Sequence, residues 1–158
     1  MTKRYDVTIT TNCGNFTIRL DPAASPNATA SFASLVQHAF YDHTVFHRIV
    51  PGFVIQGGDP TGTGTGGPGY TTVDTPPTNA KYTHGVVAMG KTGAQPPGTA
   101  GSQFFVVTGY DAGLAADYAI IGTVVQGLNV VDRIGMLANG QIPSETVEIG
   151  HMTLKTSS

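Results

Sequence analysis

Residues 45–59 read VFHRIVPGFVIQGGD, and this stretch decides the interpretation of the whole chain. Two short apolar runs flank the dipeptide Pro51-Gly52, which favours a turn, so the stretch predicts two strands with a tight connection. Side chains alternate along a strand, which places Phe46 and Arg48 on one face and His47 on the other. An arginine within an apolar strand is most often a surface group with a buried aliphatic stem, and periodicity alone favours that interpretation of Arg48.

The second half of the stretch contains a conflict between periodicity and a shared pocket. Alternation puts Phe53 on one face of the second predicted strand and Gln56 on the other. A pocket lined by both side chains therefore requires a bulge, a twist or the end of a strand. The residues by themselves leave these three alternatives open.

Alternating apolar residues elsewhere predict further strands, and two segments change to a helical period. The predicted strands are the runs within 5–9 and 16–20, joined by a turn at 12–15, and the runs 44–49, 53–56, 86–89, 104–108, 120–125 and 147–154. Helices are predicted from Ser25-Pro26, as N-cap and first residue, to about Phe40, and from Leu128 to Ile134. Eight strands and two helices predict a mainly β fold, a closed eight-stranded barrel capped by two α-helices.

Length and composition favour one folded domain, which we assign to residues 1–158. Hydrophobic residues make up 40% and charged residues 11% of the chain, so the chain is apolar enough to bury a core. The net charge is −2 and the charges are scattered, which argues against nucleic acid as a partner. No apolar run approaches the roughly 20 residues that cross a bilayer, so no membrane segment is expected.

Several motifs with known chemistry are matched only in part. The glycines at 62, 64 and 67 have the spacing of a dinucleotide-binding loop, but Pro68-Gly69 follows where that loop requires a helix. The single cysteine, Cys13, and the spacing of the five histidines match no zinc site, so no metal or cofactor is expected. Gly101-Ser102-Gln103 does not match the hydrolase elbow G-x-S-x-G, which makes a hydrolase the weakest alternative.

Two motifs carry a resemblance to a known family. The run FHRIVPGF at 46–53, followed by QGGD at 56–59, resembles the signature of the cyclophilin-type peptidyl-prolyl cis/trans isomerases, and in particular their bacterial members. The run GSQFF at 101–105 and Met89 before it occur in the expected order and spacing. The resemblance extends from about Tyr5 to Leu154 and implies an antiparallel barrel with its active groove on the outer surface.

The resemblance also implies roles for individual residues. Arg48 matches the catalytic arginine of the family, and Gln56 and Phe53 complete the implied catalytic group. The implied proline pocket comprises Phe53, Val54, Phe105, Leu114 and Tyr118. The implied peptide groove beside it comprises His47, Gly64, Thr65, Gly90, Lys91 and Gln103.

The chain departs from the family pattern at several of these positions. Val54 stands where the family usually has methionine, and Gly90-Lys91 stands where it often has Ala-Asn. Tyr118 replaces a histidine near the pocket. Gly113 stands where a tryptophan often precedes the leucine that matches Leu114, and the chain contains no tryptophan. Cyclosporin is therefore a doubtful ligand, because glycine offers neither the indole N–H nor the large apolar face.

The implied activity is isomerisation of X-Pro bonds during protein folding, with X-Pro peptides and unfolded or flexible proteins as partners. Rotation about the bond makes and breaks nothing, so it requires no nucleophile, metal or acid–base pair. The alternative is a binding module that grips proline segments with the same pocket. We expect a cytoplasmic monomer, with a soluble domain excised from an anchored or exported protein as the alternative location.

Overall fold

The structure is a computed structural model that describes residues 3–158. Eight strands form one antiparallel sheet: β1 (Arg4–Thr11), β2 (Gly14–Leu20), β3 (Arg48–Val50), β4 (Val54–Gly57), β6 (Val86–Met89), β8 (Phe104–Val107), β9 (Ile120–Gln126) and β12 (Ile149–Ser157). Their order in the sheet is β12-β1-β2-β9-β6-β8-β4-β3. The predicted mainly β architecture with eight principal strands is confirmed.

The sheet is buried on both faces in the region of β4, β6 and β8. Alternate residues of these strands point to opposite faces, as the pleat requires. In β8, Phe104 and Val106 belong to the barrel core, whereas Phe105 and Val107 belong to a second apolar cluster outside it. This explains why β8 is a continuous apolar run, and it provides a firm outer surface on which a site can be built.

The barrel is less completely closed than the sequence predicted. Among the described residues no ladder joins the edge strands β3 and β12, and the eight strands form a strongly curled sheet. The gap is bridged by the segment before β3, where the amides of His43 and Phe46 donate to the carbonyls of Ile149 and Val147 at 2.7 and 3.0 Å. We call these contacts between residues 43–46 and 147–149 the seam.

Two helices accompany the sheet, and both coincide with predicted segments. Helix α1 spans Pro26–Gln37 and buries Phe32, Leu35 and Val36 against the barrel core. It ends before the predicted Phe40, and the chain turns at Ala39, which has a positive φ of 57°. Helix α2 spans Leu128–Ile134 as predicted. Neither helix among the described residues is long and apolar enough to cross a bilayer.

Four further strands of two residues each lie outside the segments for which strands or helices were predicted. They form two small antiparallel pairs: β5 (Thr72–Val73) with β7 (Thr99–Ala100), and β10 (Ala138–Asn139) with β11 (Ile142–Pro143). Conversely, the predicted strand 44–49 shortens to β3, because residues 44–46 are used in the seam. The β5–β7 pair and the seam join segments far apart in the sequence, whereas β10 and β11 form a local hairpin.

Candidate active site

Arg48, Gln56 and Phe105 lie side by side on the outer face of the sheet because of its register. Arg48 in β3 is paired with Gln56 in β4, and Gln56 is paired in turn with Phe105 in β8. Residues directly opposite in antiparallel strands have side chains on the same face, about 4.5–5.5 Å apart at the β-carbons. Strand pairing thus places a cation, an amide and an aromatic ring in one row.

Phe53 joins this row because it lies just before a strand. It belongs to the turn that also contains Pro51-Gly52, and β4 begins only at Val54. The Arg48 guanidinium carbon is 5.9 Å from the centroid of the Phe53 ring, within the range of a cation–π contact. Of the three alternatives left open by the periodicity, the structure has the strand end.

A small cavity of about 130 Å³ opens above this row. Its lining combines apolar and polar side chains, and consists of Arg48, Phe53, Val54, Gln56, Gly90, Lys91, Phe105, Leu114 and Tyr118. The structure therefore brings together every residue of the predicted catalytic group and of the predicted proline pocket. We call this space the small cavity.

Aromatic packing fixes one wall of the small cavity. The rings of Phe105 and Tyr118 meet edge to face with centroids 5.3 Å apart. Tyr82, which is buried beneath them, donates its hydroxyl to the Tyr118 carbonyl at 2.7 Å and accepts the Tyr118 amide at 3.0 Å. The Tyr118 backbone is thus held from below, so its ring is a preformed surface.

A large cavity of about 560 Å³ lies next to the small one. It is lined mainly by the glycine-rich loop 64–71 and by residues 90–92, 95 and 101–103. Five predicted groove residues line it, all of them outside the strands: Gly64, Thr65, Gly90, Lys91 and Gln103.

Three residues line both cavities, and we call them the shared wall: Gln56, Gly90 and Lys91. The Gln56 Nε2 amide donates to Gln103 Oε1 at 3.2 Å, and Gln103 Nε2 donates to the Gly66 carbonyl at 3.0 Å. A β-carbon at Gly90 would lie 3.1 Å from Gln56 Nε2. The absence of a side chain at Gly90 therefore leaves space for the Gln56 side-chain amide. The wall is therefore joined by hydrogen bonds to the loop of the large cavity.

His47 lies apart from the other predicted groove residues. It is absent from the linings of both cavities in the described chain, and its ring lies behind the glycine-rich loop, near Gly64. Burial lowers the pKa of His47, and the Arg48 charge adds to that effect, whereas Asp59 opposes it. Its Nδ1 is buried without a partner among residues 3–158. His47 therefore packs near Gly64 without lining either cavity, and its lowered pKa favours the neutral form.

Gly113 leaves open space at the rim of the small cavity. A β-carbon built there meets no atom of the described residues within 4 Å, and Gly113 has a positive φ of 66°. Tryptophan rarely adopts this backbone conformation. The backbone conformation of this loop therefore favours glycine at position 113.

Sequence reasoning missed three residues that support the site. Gln141, in the turn between β10 and β11, accepts the Arg48 Nε hydrogen at 3.3 Å. Tyr82 holds Tyr118, and the fully buried Asp59 organises the glycine-rich loop. Of these three, only Asp59 had a signal in the sequence, because it belongs to the QGGD motif. Gln141 is 93 residues away from its partner Arg48 along the chain. Among the described residues, no cluster of three His, Cys, Asp or Glu side chains could hold a metal ion.

The fold and the site define a class: small β-barrel proteins with an apolar, arginine-rimmed groove on the outside of the barrel. The model of the family described as cyclophilin type peptidyl-prolyl cis-trans isomerase/CLD matches residues 6–154. The chain therefore belongs to the cyclophilin-type peptidyl-prolyl cis-trans isomerases and is an enzyme of that kind.

Individual relatives agree with this assignment. The chain is 37% identical over 150 residues to a peptidyl-prolyl cis-trans isomerase-like 1 of Emericella nidulans, with 91% of both chains covered. It is 40% identical over 128 residues to peptidyl-prolyl cis-trans isomerase B of Bacillus subtilis, which covers 80% of this chain and 85% of that protein.

A solved structure has the same fold. The crystal structure of a cyclophilin type peptidyl-prolyl cis-trans isomerase from Cryptosporidium parvum superposes with a TM-score of 0.88 at 31% identity, covering 98% of this chain and 99% of that one. A second structure of that protein, in the presence of the dipeptide Ala-Pro, superposes with a TM-score of 0.86 over 95% of this chain and 98% of that one.

Proposed function

We propose that this enzyme turns X-Pro bonds by docking the proline ring in the small cavity and donating a hydrogen bond from Arg48 to the proline nitrogen. The observation that carries the proposal is that Arg48 lines the same small cavity as Phe53, Phe105 and Leu114. At about 130 Å³ this cavity suits a single side chain, since drug-sized ligands occupy roughly 300–1,000 Å³. The Ala-Pro dipeptide in the Cryptosporidium parvum structure supports a ligand of this kind.

The chemistry requires stabilisation of a twisted amide. Amide resonance sets a rotation barrier of about 18–20 kcal/mol. The barrier falls when the proline nitrogen becomes pyramidal and its lone pair leaves conjugation. A donor aimed at that nitrogen stabilises the twisted state more than the planar one, which is the condition for catalysis. Arginine suits this task because its guanidinium stays charged at neutral pH.

The hydrogen bond from Arg48 accounts for only part of the rate acceleration. A hydrogen bond that involves a charged group contributes about 1.5–3 kcal/mol, and each ~1.4 kcal/mol corresponds to a factor of ten in rate. The rest is supplied by holding the ring against Phe53, Val54 and Phe105 while the preceding carbonyl swings. Gln56 belongs to the shared wall and is paired with Arg48 across the strands. It is placed to bind the substrate backbone.

Arg48→Ala is expected to lower kcat/KM on an X-Pro peptide by about 10- to 100-fold, because the donor to the nitrogen is lost. A protease-coupled or NMR exchange assay of X-Pro isomerisation measures this change. The matched control is Arg19→Ala, which removes an arginine of β2 whose guanidinium is bound to Asp6 at 3.0 Å outside both cavities.

Turnover by Arg48→Ala close to that of the unaltered enzyme would refute the assigned role. A folded protein that binds X-Pro peptides without accelerating their isomerisation would instead favour the alternative of a binding module.

The substrates we propose are exposed X-Pro segments of unfolded or flexible proteins, because the groove is open at the surface and contacts only a few residues. This assigns the enzyme a part in protein folding.

We propose that cyclosporin binds this enzyme weakly. The open space at Gly113 supplies neither the apolar face nor the N–H donor of the tryptophan that the family often has there. Running the same assay with cyclosporin tests the point, and inhibition at concentrations close to that of the enzyme would contradict it.

A further inference from the structure

A lysine stands on the wall between the two cavities. Lys91 lines both of them and is half-buried there. Lys91 is the second residue after β6, and the amide of Gly90 donates to the carbonyl of Gln103, the residue before β8, at 2.9 Å. The sheet therefore fixes the position of this cation relative to Arg48 and Gln56.

The immediate surroundings orient the Lys91 ammonium without neutralising it. Its Nζ donates to the carbonyls of Thr92 and Gln95, both at 3.3 Å, and lies 5.5 Å from the centroid of the Tyr118 ring. Carbonyl oxygens and a ring face carry only partial negative charge. These contacts thus offset the positive charge of Lys91 only in part, and its side chain lines the space in which a peptide would lie.

The charge of the groove is entirely positive. Arg48 and Lys91 are its cations, and the described residues that line the two cavities include no Asp or Glu. Asp59, behind the large cavity, is fully buried and accepts hydrogen bonds from its own loop, and Asp117, next to Tyr118, lies outside both linings. A concave surface with charges of one sign concentrates ligands of the opposite sign.

The path of a bound peptide follows from the proposed function, on which this inference rests. With the proline ring in the small cavity and the X-Pro amide at Arg48 and Gln56, one flank of the peptide crosses the shared wall, which includes Lys91, toward the large cavity. We propose that this flank begins with the residue before the proline, and that Lys91 is a specificity-determining residue that makes this enzyme favour substrates with an acidic residue at that position.

The test compares matched peptides that differ only in the residue before proline: Glu, Gln or Lys. For the unaltered enzyme we expect kcat/KM to be about three- to fivefold higher with Glu-Pro than with Gln-Pro, and lower again with Lys-Pro, as for charges that meet in a partly hydrated groove. The Glu-to-Gln ratio should decline toward one as salt is raised from low to high concentration.

Variants separate Lys91 from the net charge of the protein. In Lys91→Gln the Glu-to-Gln ratio should fall to near one, and in Lys91→Glu it should drop below one. The control is Lys155→Gln, which removes a charge from β12, outside both cavities, and should keep the ratio of the unaltered enzyme. Using ratios within one variant removes any general effect of the substitution on folding or turnover.

The outcomes distinguish this inference from the proposed function. If the unaltered enzyme turns over Glu-Pro and Gln-Pro equally, or if Lys155→Gln abolishes the preference as Lys91→Gln does, the role of Lys91 is overturned while the isomerase mechanism stands. If Arg48→Ala turns over all three peptides like the unaltered enzyme, the mechanism itself fails, whatever the ratio.

Discussion

Asp59 shapes the groove although its side chain lines neither cavity. Its Oδ1 accepts the amide and the hydroxyl of Thr61, both at 2.8 Å, and its Oδ2 accepts the amides of Gly64 and Gly66 at 2.6 and 3.1 Å. A β-carbon at Gly66 would collide with the carboxylate, so this close approach requires glycine. Through the Gly66 carbonyl, the same loop holds Gln103 and, beyond it, Gln56.

These contacts set the charge state of Asp59. Burial by itself raises the pKa of Asp59, but the hydrogen bonds from Thr61, Gly66 and Gly64 outweigh it and hold the pKa well below its usual range. A carboxyl whose pKa is lowered by folding stabilises the protein above the pKa of the unfolded chain, and loses that contribution as the pH falls through the folded value.

At the residue scale, Asp59→Asn is expected to lower the free energy of unfolding by about 1.5–3 kcal/mol at pH 7, because hydrogen bonds to a charged acceptor are lost. The difference from the unaltered protein should persist at pH 5 and shrink below the unfolded Asp pKa of 3.8. Urea denaturation across this pH range measures it. A difference that is independent of pH down to 2 would contradict the role of the carboxylate charge.

At the scale of elements, helix α1 is capped by a residue from elsewhere in the chain. Ser25 occupies the N-cap position, but among the described residues its side chain makes no capping hydrogen bond. Asp74, which follows β5, instead accepts the amides of Asn27 and Ala28 at 3.2 and 2.7 Å. A carboxylate at a helix N-terminus satisfies free N–H groups and interacts favourably with the helix dipole.

We therefore expect Asp74→Ala to lower the free energy of unfolding by about 0.5–2 kcal/mol, as for the loss of an N-cap side chain. Ser25→Ala serves as the matched control and should cost less than Asp74→Ala, because its side chain makes no cap. Both values come from chemical denaturation at neutral pH. The reverse order would show that the serine predicted from the sequence is the effective cap.

On the scale of the whole molecule, isolated contacts at the seam, and no ladder among the described residues, connect the two edges of the sheet. Besides the two hydrogen bonds from His43 and Phe46, the Ile149 amide donates to the Thr44 carbonyl at 2.8 Å. Exposed pairs flank it, with His43 and Glu148 at 3.0 Å and His151 and Asp42 at 2.9 Å. Exposed ion pairs contribute little, so short backbone contacts and the buried Val147 and Ile149 carry the closure.

Native-state hydrogen exchange should show that the seam opens more easily than the ladder between β1 and β2. The amides of His43, Phe46 and Ile149 are expected to exchange with a lower free energy of opening than the ladder amides of β1 and β2, because local opening of the seam breaks few contacts. Two-dimensional NMR after transfer to D₂O gives both sets in one experiment. Equal protection of the seam and the ladder would mean that the barrel opens only as a unit.

The sequence by itself determined the family, the order of the principal strands along the chain and the residues of the small cavity. It could do so because side-chain alternation and the turn at Pro51-Gly52 are local properties, and because FHRIVPGF and GSQFF are long motifs. The shortened β3, the open edges of the sheet and the position of His47 did not follow from these local patterns.

Only the tertiary structure decided how these residues meet. Register between strands placed Arg48 opposite Gln56 and Gln56 opposite Phe105, and the late start of β4 brought Phe53 to the same face. The seam, the Asp74 cap and the Gln141 contact likewise join residues distant along the chain. Such contacts depend on the packing of the whole barrel, because no short stretch of sequence contains both partners.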